Sequence, residues 1–228
     1  MAKIKFTAIV ADMRGKLNGT VFSKNRGGAY ARTKVTPVNP QSTRQMAVRA
    51  VLTTLVQGFK ALTANQIAAW NTAVANFQST DIFGDVKKPS GINLYTKLNA
   101  NLQLAGQSAI SDPPIPDSVD GVVLNGLTSD SSPATFTLAS AAAAVPAGHT
   151  LIVEATPMLS PGKNFVKSEY RVIGTKAAAT TFPIAMANEY QAKFGAPIAG
   201  QKVFVRVKTI NNTTGLASQY SAVSSVTL

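Results

Sequence analysis

The hydrophobic period of this chain changes at residues 111–117, and no other feature constrains its fold as much. From Pro40 to Gly106 the apolar residues recur at helical spacing, and beyond Asp117 they alternate. Between the two lies Ser111-Asp112-Pro113-Pro114-Ile115-Pro116-Asp117, whose three prolines make a stiff, extended linker. The expected fold class is therefore α+β and multi-domain, with helices before the linker and strands after it.

After the linker, strand candidates are Gly121–Leu124, Ala134–Leu138, Thr150–Thr156, Glu169–Ile173, Lys202–Ile210 and Ser218–Leu228. Turn residues flank each of them. Short strands at this spacing predict a β-sandwich over 118–228. Met186–Phe194 reads as a short helical crossover.

Before the linker, three helices are expected over 40–110. Asn39 can cap the first, with Pro40 at its opening position. Its apolar stripe is Val48, Val51, Leu52, Leu55, Val56 and Phe59. Thr63-Ala64-Asn65-Gln66 fits a capping box for a second helix, which carries Ile67, Trp70, Val74 and Phe77 on one side. Trp70, the only tryptophan, reads as the anchor between helices, with ligand stacking as the other reading. Ser79 to Gly91 reads as a loop. The third helix presents Ile92, Tyr95, Leu98 and Leu102, and ends near Gly106.

The first 39 residues read as a basic arm. Residues 1–49 hold ten Lys/Arg and one acid, so they supply +9 of the chain's +12. Charge this local marks a docking feature, since a field serving solubility would be spread over the chain. Lys3 to Val10 has strand character, and Gly15 to Gly19 reads as a turn. Thr20–Ser23 and Ala29–Val35 then form a hairpin through Lys24-Asn25-Arg26-Gly27-Gly28. Tyr30, Arg32 and Lys34 share a strand face as a contact stripe or a solvated face. Residues expected to bind a partner are Arg14, Lys16, Lys24, Arg26, Tyr30, Arg32, Lys34, Arg44 and Arg49.

Little catalytic chemistry is encoded. Without cysteine there are no disulfides or thiolate metal sites. The single His149 cannot build a histidine-based zinc centre and reads as a turn residue. Asp112, Asp117, Asp120 and Asp130 lack EF-hand spacing and read as solvated turn acids, with a calcium ion as the other reading. No P-loop, dinucleotide fingerprint or nucleophile elbow occurs. Neither an enzyme nor a cofactor is expected. The start does not read as a signal peptide, and no apolar run approaches the roughly 20 residues of a membrane span. A nucleic acid is the alternative partner for the arm, through counterion release at phosphates.

A string of short motifs adds a resemblance. These are Gly19 to Phe22 (G-x-V-F), Gly28 to Arg32 (G-x-Y-x-R), Val35 to Pro40, Gln45, Arg49, Ala69-Trp70, Gly91-Ile92-Asn93 and Asn99. Over roughly residues 14–106 the chain resembles small structural proteins of tailed phages, including the crAss-like group. Its C-terminal part resembles the immunoglobulin-like or fibronectin type III-like domains of virion proteins, in architecture only, since it lacks the Cys and buried Trp of a true antibody domain. The resemblance implies a virion component made in the host bacterial cytoplasm, an auxiliary or decoration protein on the capsid, or else a neck or tail protein. Its partner would be a major capsid protein, or another virion protein with an acidic surface, and it would be present in many copies.

Overall fold

The computed structural model describes residues 2–6, 10–25, 27–131 and 134–227. The fold is α+β, with α-helices and several antiparallel sheets. The chain divides into two compact units, residues 1–50 with 78–88, and residues 51–77 with 89–228.

The first unit is a four-stranded antiparallel sheet. Its strands are β1 (Ala2–Ile4), β2 (Gly15–Leu17), β3 (Thr20–Asn25) and β4 (Gly28–Thr33), in the order β1-β4-β3-β2. Gly15–Leu17 is a strand rather than part of a turn. Asn18-Gly19 alone makes the turn, because Leu17 pairs with Thr20 and Asn18 takes φ 48°. Asn-Gly tolerates the left-handed backbone that a two-residue hairpin requires. The first strand stops at Ile4, short of the expected Val10, and Thr7, Ala8 and Ile9 lie outside the described residues.

The segment expected as a loop after Ser79 carries a small hairpin, β5 (Ser79–Thr80) and β6 (Val86–Lys87). Asp81 closes it. Its Oδ1 accepts the N–H groups of Phe83 at 2.8 Å and Asp85 at 3.2 Å. No described residue of this first unit is buried.

Helix α1 (Thr43–Lys60) begins in the first unit and ends in the second. Ser42 caps it in place of Asn39, accepting Gln45 N–H at its Oγ (3.4 Å) and Met46 N–H at its carbonyl (3.0 Å). Asn39 instead accepts Arg49 Nη2 at 2.8 Å. Gln41 at φ 48° keeps the chain out of helix until Ser42. The expected apolar stripe is covered only along Val51, Leu55 and Phe59. Leu55 is buried and Val51 and Phe59 pack beside it, whereas Val48 and Leu52 are 63% and 54% exposed.

In the second unit, α2 (Ala64–Ala73) starts with a complete capping box between Thr63 and Gln66. A short 3-10 turn and α3 (Gly91–Leu104) follow. Leu55, Trp70, Val74, Leu94, Tyr95 and Leu98 form the helical core. Trp70 is fully buried, edge-on to Tyr95 at 5.3 Å between ring centres. Its indole N–H donates to Ser111 O at 2.7 Å. Asn99, also buried, binds both N–H and C=O of Ile110. These bonds fix the start of the Pro-rich segment to the helices.

Two further antiparallel sheets enclose the larger core. One orders β11 (Ile184–Ala185), β8 (Ala134–Ser140) and β7 (Leu124–Ser131). The other orders β10 (Arg171–Lys176), β9 (His149–Ala155), β12 (Lys202–Asn211) and β13 (Ser221–Val226). Strand β7 begins where the expected strand ends, and its first N–H, that of Leu124, donates to Ser221 Oγ at 2.9 Å. Inward residues such as Phe136, Leu138, Leu151, Val153, Val205 and Val207 fill the space between the sheets. Helix α4 (Ala187–Phe194) closes one side, with Tyr190 stacked on Phe136 at 4.4 Å. Helix α3 packs on β12, and Asn101 Nδ2 donates to Gly215 O at 2.9 Å.

Candidate functional site

Ladder partners in an antiparallel sheet project on the same side, and neighbours along a strand project on opposite sides. In the first unit Lys3 pairs with Tyr30 and Tyr30 with Ser23. One step along, Arg32 pairs with Val21 and Val21 with Lys16. Lys3, Tyr30, Arg32 and Lys16 therefore share one face. Lys34 lies just past β4 and extends the row, its backbone N–H bonded to Gly19 O at 2.7 Å. The other face carries Ile4, Phe22, Ala29 and Ala31, with Lys24 toward the hairpin end.

The unit holds twelve Lys/Arg against three acids, a net +9. All three acids are already engaged. Asp81 takes Lys3 at 2.6 Å, Asp85 takes Lys5 at 3.0 Å, and Asp12 takes Arg14 at 2.9 Å. Among the described residues Lys16, Lys24, Arg32, Lys34 and Arg44 have no ion-pair partner, and all five are exposed. Their charge faces solvent, where it acts on whatever approaches.

The structure brings some of the expected binding residues together and not others. Lys16, Tyr30, Arg32 and Lys34 lie on one side of the sheet, and Lys24 lies on the other. Arg14 precedes β2 and is held by Asp12. Arg44 and Arg49 lie on α1 rather than on the sheet. Arg26 lies outside the described residues.

Two contributors escaped sequence reasoning. Lys3 completes the basic row through its pairing with Tyr30, and Lys87 reaches the same side from β6. Only the period-2 pattern of the first residues hinted at Lys3, and Lys87 sat in an apparent loop. Asp81, 6% exposed at its side chain, ties this corner together. The Lys3 ammonium holds the Asp81 carboxyl down to about 2 against the opposing effect of burial, helped by the Phe83 and Asp85 N–H groups. The Asp81 bond raises Lys3 in turn. Lys87 is lowered because the Lys3 ammonium faces it, and burial adds to this.

No family model, curated protein or solved structure matches the chain. Its chemistry must be read from its own geometry. Among the described residues no group of three His, Cys, Asp or Glu side chains is placed to hold a metal ion. Among them, too, no helix is long and apolar enough to cross a membrane. His149 opens β9 with Nδ1 2.8 Å from Ala147 O. Asp130 accepts Thr135 Oγ1 across the β7–β8 ladder at 3.0 Å. What the basic face can do is bind anions over an extended area.

Proposed function

We propose that this protein is a non-enzymatic structural component of a tailed-phage virion. Its cationic N-terminal sheet docks on an acidic surface of a capsid protein, and its β-sandwich is displayed. One observation carries this reading. The first unit holds +9 and contains no buried residue among those described. A small sheet without a core has little to offset its chain entropy, and its like charges repel. Both deficits are relieved by a partner that covers the sheet and supplies acids. The second unit holds ten bases and seven acids, a lower charge that suits a displayed part.

The three-on-four pairing of antiparallel sheets supports an immunoglobulin-like or fibronectin type III-like architecture for residues 118–228. That architecture and the motif string of the N-terminal half are the basis for naming a virion. Both are equally consistent with a place on the capsid and with one at the neck or tail. Nucleic acid is the second reading, favoured by Tyr30 sitting between Lys3 and Arg32 on an open sheet face, where a base can stack.

The test is add-back to DNA-emptied particles that lack the protein, at graded salt, beside a DNA-binding titration under the same conditions. Saturable binding to empty particles that weakens with salt is expected, with DNA bound more weakly. Tight binding to DNA and none to empty shells would reverse the assignment.

A further inference from the structure

A recess of about 430 Å3 opens at the end of the β3–β4 hairpin, walled by Lys3, Asn25, Gly27, Gly28, Tyr30 and Lys87. Two ammonium groups lie over the same peptide. Lys3 Nζ is 3.3 Å from Gly27 O, and a Cβ added at Gly27 would stand 4.0 Å from Lys87 Nζ. Lys87 has no ion-pair partner among the described residues. The nearby acids are taken: Asp81 is spent on Lys3 and on two backbone N–H groups, and Asp85 pairs with Lys5. Asn25 uses its Oδ1 to accept Gly27 N–H at 2.8 Å, which leaves its Nδ2 without a partner among the described residues. Among the described residues the recess is thus ringed by donors, with one positive charge more than Asp81 balances.

From this we infer that the recess binds a phosphate group, held by Lys87, Lys3 and the Asn25 amide, with the Tyr30 ring as a side wall. Three separate donors surround the space. A tetrahedral oxyanion has an oxygen for each, whereas a carboxylate has two in all. Lysine serves phosphate as a point charge and needs no planar match. Like-charged ammoniums held together, with Lys87 pushed down by Lys3, are a strain that an anion between them relieves. Such a site operates whether or not the sheet docks on a protein.

The experiment is a titration of full-length protein with inorganic phosphate at constant ionic strength, read from the Gly27 and Gly28 amide resonances, with chloride as control. Saturable shifts are expected with phosphate and not with chloride. Lys87→Gln, which leaves the Lys3–Asp81 pair intact, should weaken binding about tenfold, the loss of one charge-assisted hydrogen bond. Lys88→Gln, its exposed neighbour, should bind as the wild type does. Repeating the titration with a short 5′-phosphorylated oligonucleotide distinguishes sources. Tighter binding assigns the site to a phosphate ester, and equal binding to the free ion. Shifts that do not saturate, equal shifts with chloride, unchanged binding by Lys87→Gln, or equal weakening by Lys88→Gln would each overturn the site.

Discussion

Lys3 and Asp81, 78 positions apart in the chain, meet at 2.6 Å, and this pair ties the first strand to the β5–β6 hairpin. The hairpin lies between two helices of the second unit in sequence, yet it belongs to the first unit. A local loop could not be read as part of the arm, because its role depends on a lysine at the far end of the unit.

The pair makes the arm acid-sensitive. Asp81 has a folded pKa of about 2 against an ordinary 3.8, so it stabilises the fold above the ordinary value. That stability fades as pH falls below 3.8 and is gone once it passes through about 2. Shift dispersion of the β1 and β4 amides should fall in this window. Asp81→Asn should show the reduced dispersion already at neutral pH and lose the acid step. An acid step of unchanged size in the variant would place its origin elsewhere.

Several elements were legible because their determinants are local. Thr63 and Gln66 announce the second helix by a capping box, which forms as expected. Alternating residues in β9 and β12 mark the sheets within a residue or two of their ends. Where long-range partners decide, the sequence misleads. Asn39-Pro40 looks like a helix start, but Asn39 is taken by Arg49 and Ser42 caps instead. Val48 and Leu52 keep the helical period yet stay exposed, because Val48 precedes the first covered residue, Val51, and Leu52 lies beside the covered line of Val51, Leu55 and Phe59. Of the expected binding residues, the sheet register selects Lys16, Tyr30, Arg32 and Lys34, and it adds Lys3. Register is set by pairing between strands, which single-strand alternation does not reveal.

Trp70 joins the helices to the Pro-rich segment through its ring and its N–H. Trp70→Ala should cost about 3–5 kcal/mol, since it removes a fully buried aromatic ring. Trp70→Phe keeps part of the packing but leaves Ser111 O without its donor, for about 1–3 kcal/mol. Urea denaturation followed by far-UV circular dichroism at the helical band measures both. Near-native stability of the alanine variant would show that the ring does not anchor the core.

Gly215 sits at φ +71°, and a Cβ there would press on the Leu98 carbonyl of α3. Gly215→Ala should therefore destabilise the second unit by at least about 1–2 kcal/mol from backbone strain alone. The steric clash adds to this. The loss should appear as a lower thermal midpoint. A variant as stable as the wild type would mean that α3 and the β12–β13 turn are less closely packed than they stand here.

The central claim is that the basic sheet face is the attachment surface. Lys16, Arg32 and Lys34 are exposed and free of ion pairs among the described residues, so reversing them breaks no ion pair there. Single exposed pairs are worth under about 1 kcal/mol, so attachment should survive any one change. The decisive measurement is particle occupancy of the folded triple variant Lys16→Glu, Arg32→Glu, Lys34→Glu in add-back at physiological salt. A strong loss of occupancy is expected, because the three new carboxylates then face an acidic partner. Wild-type occupancy by that variant would contradict it and move the contact to α1 or to the two-sheet unit.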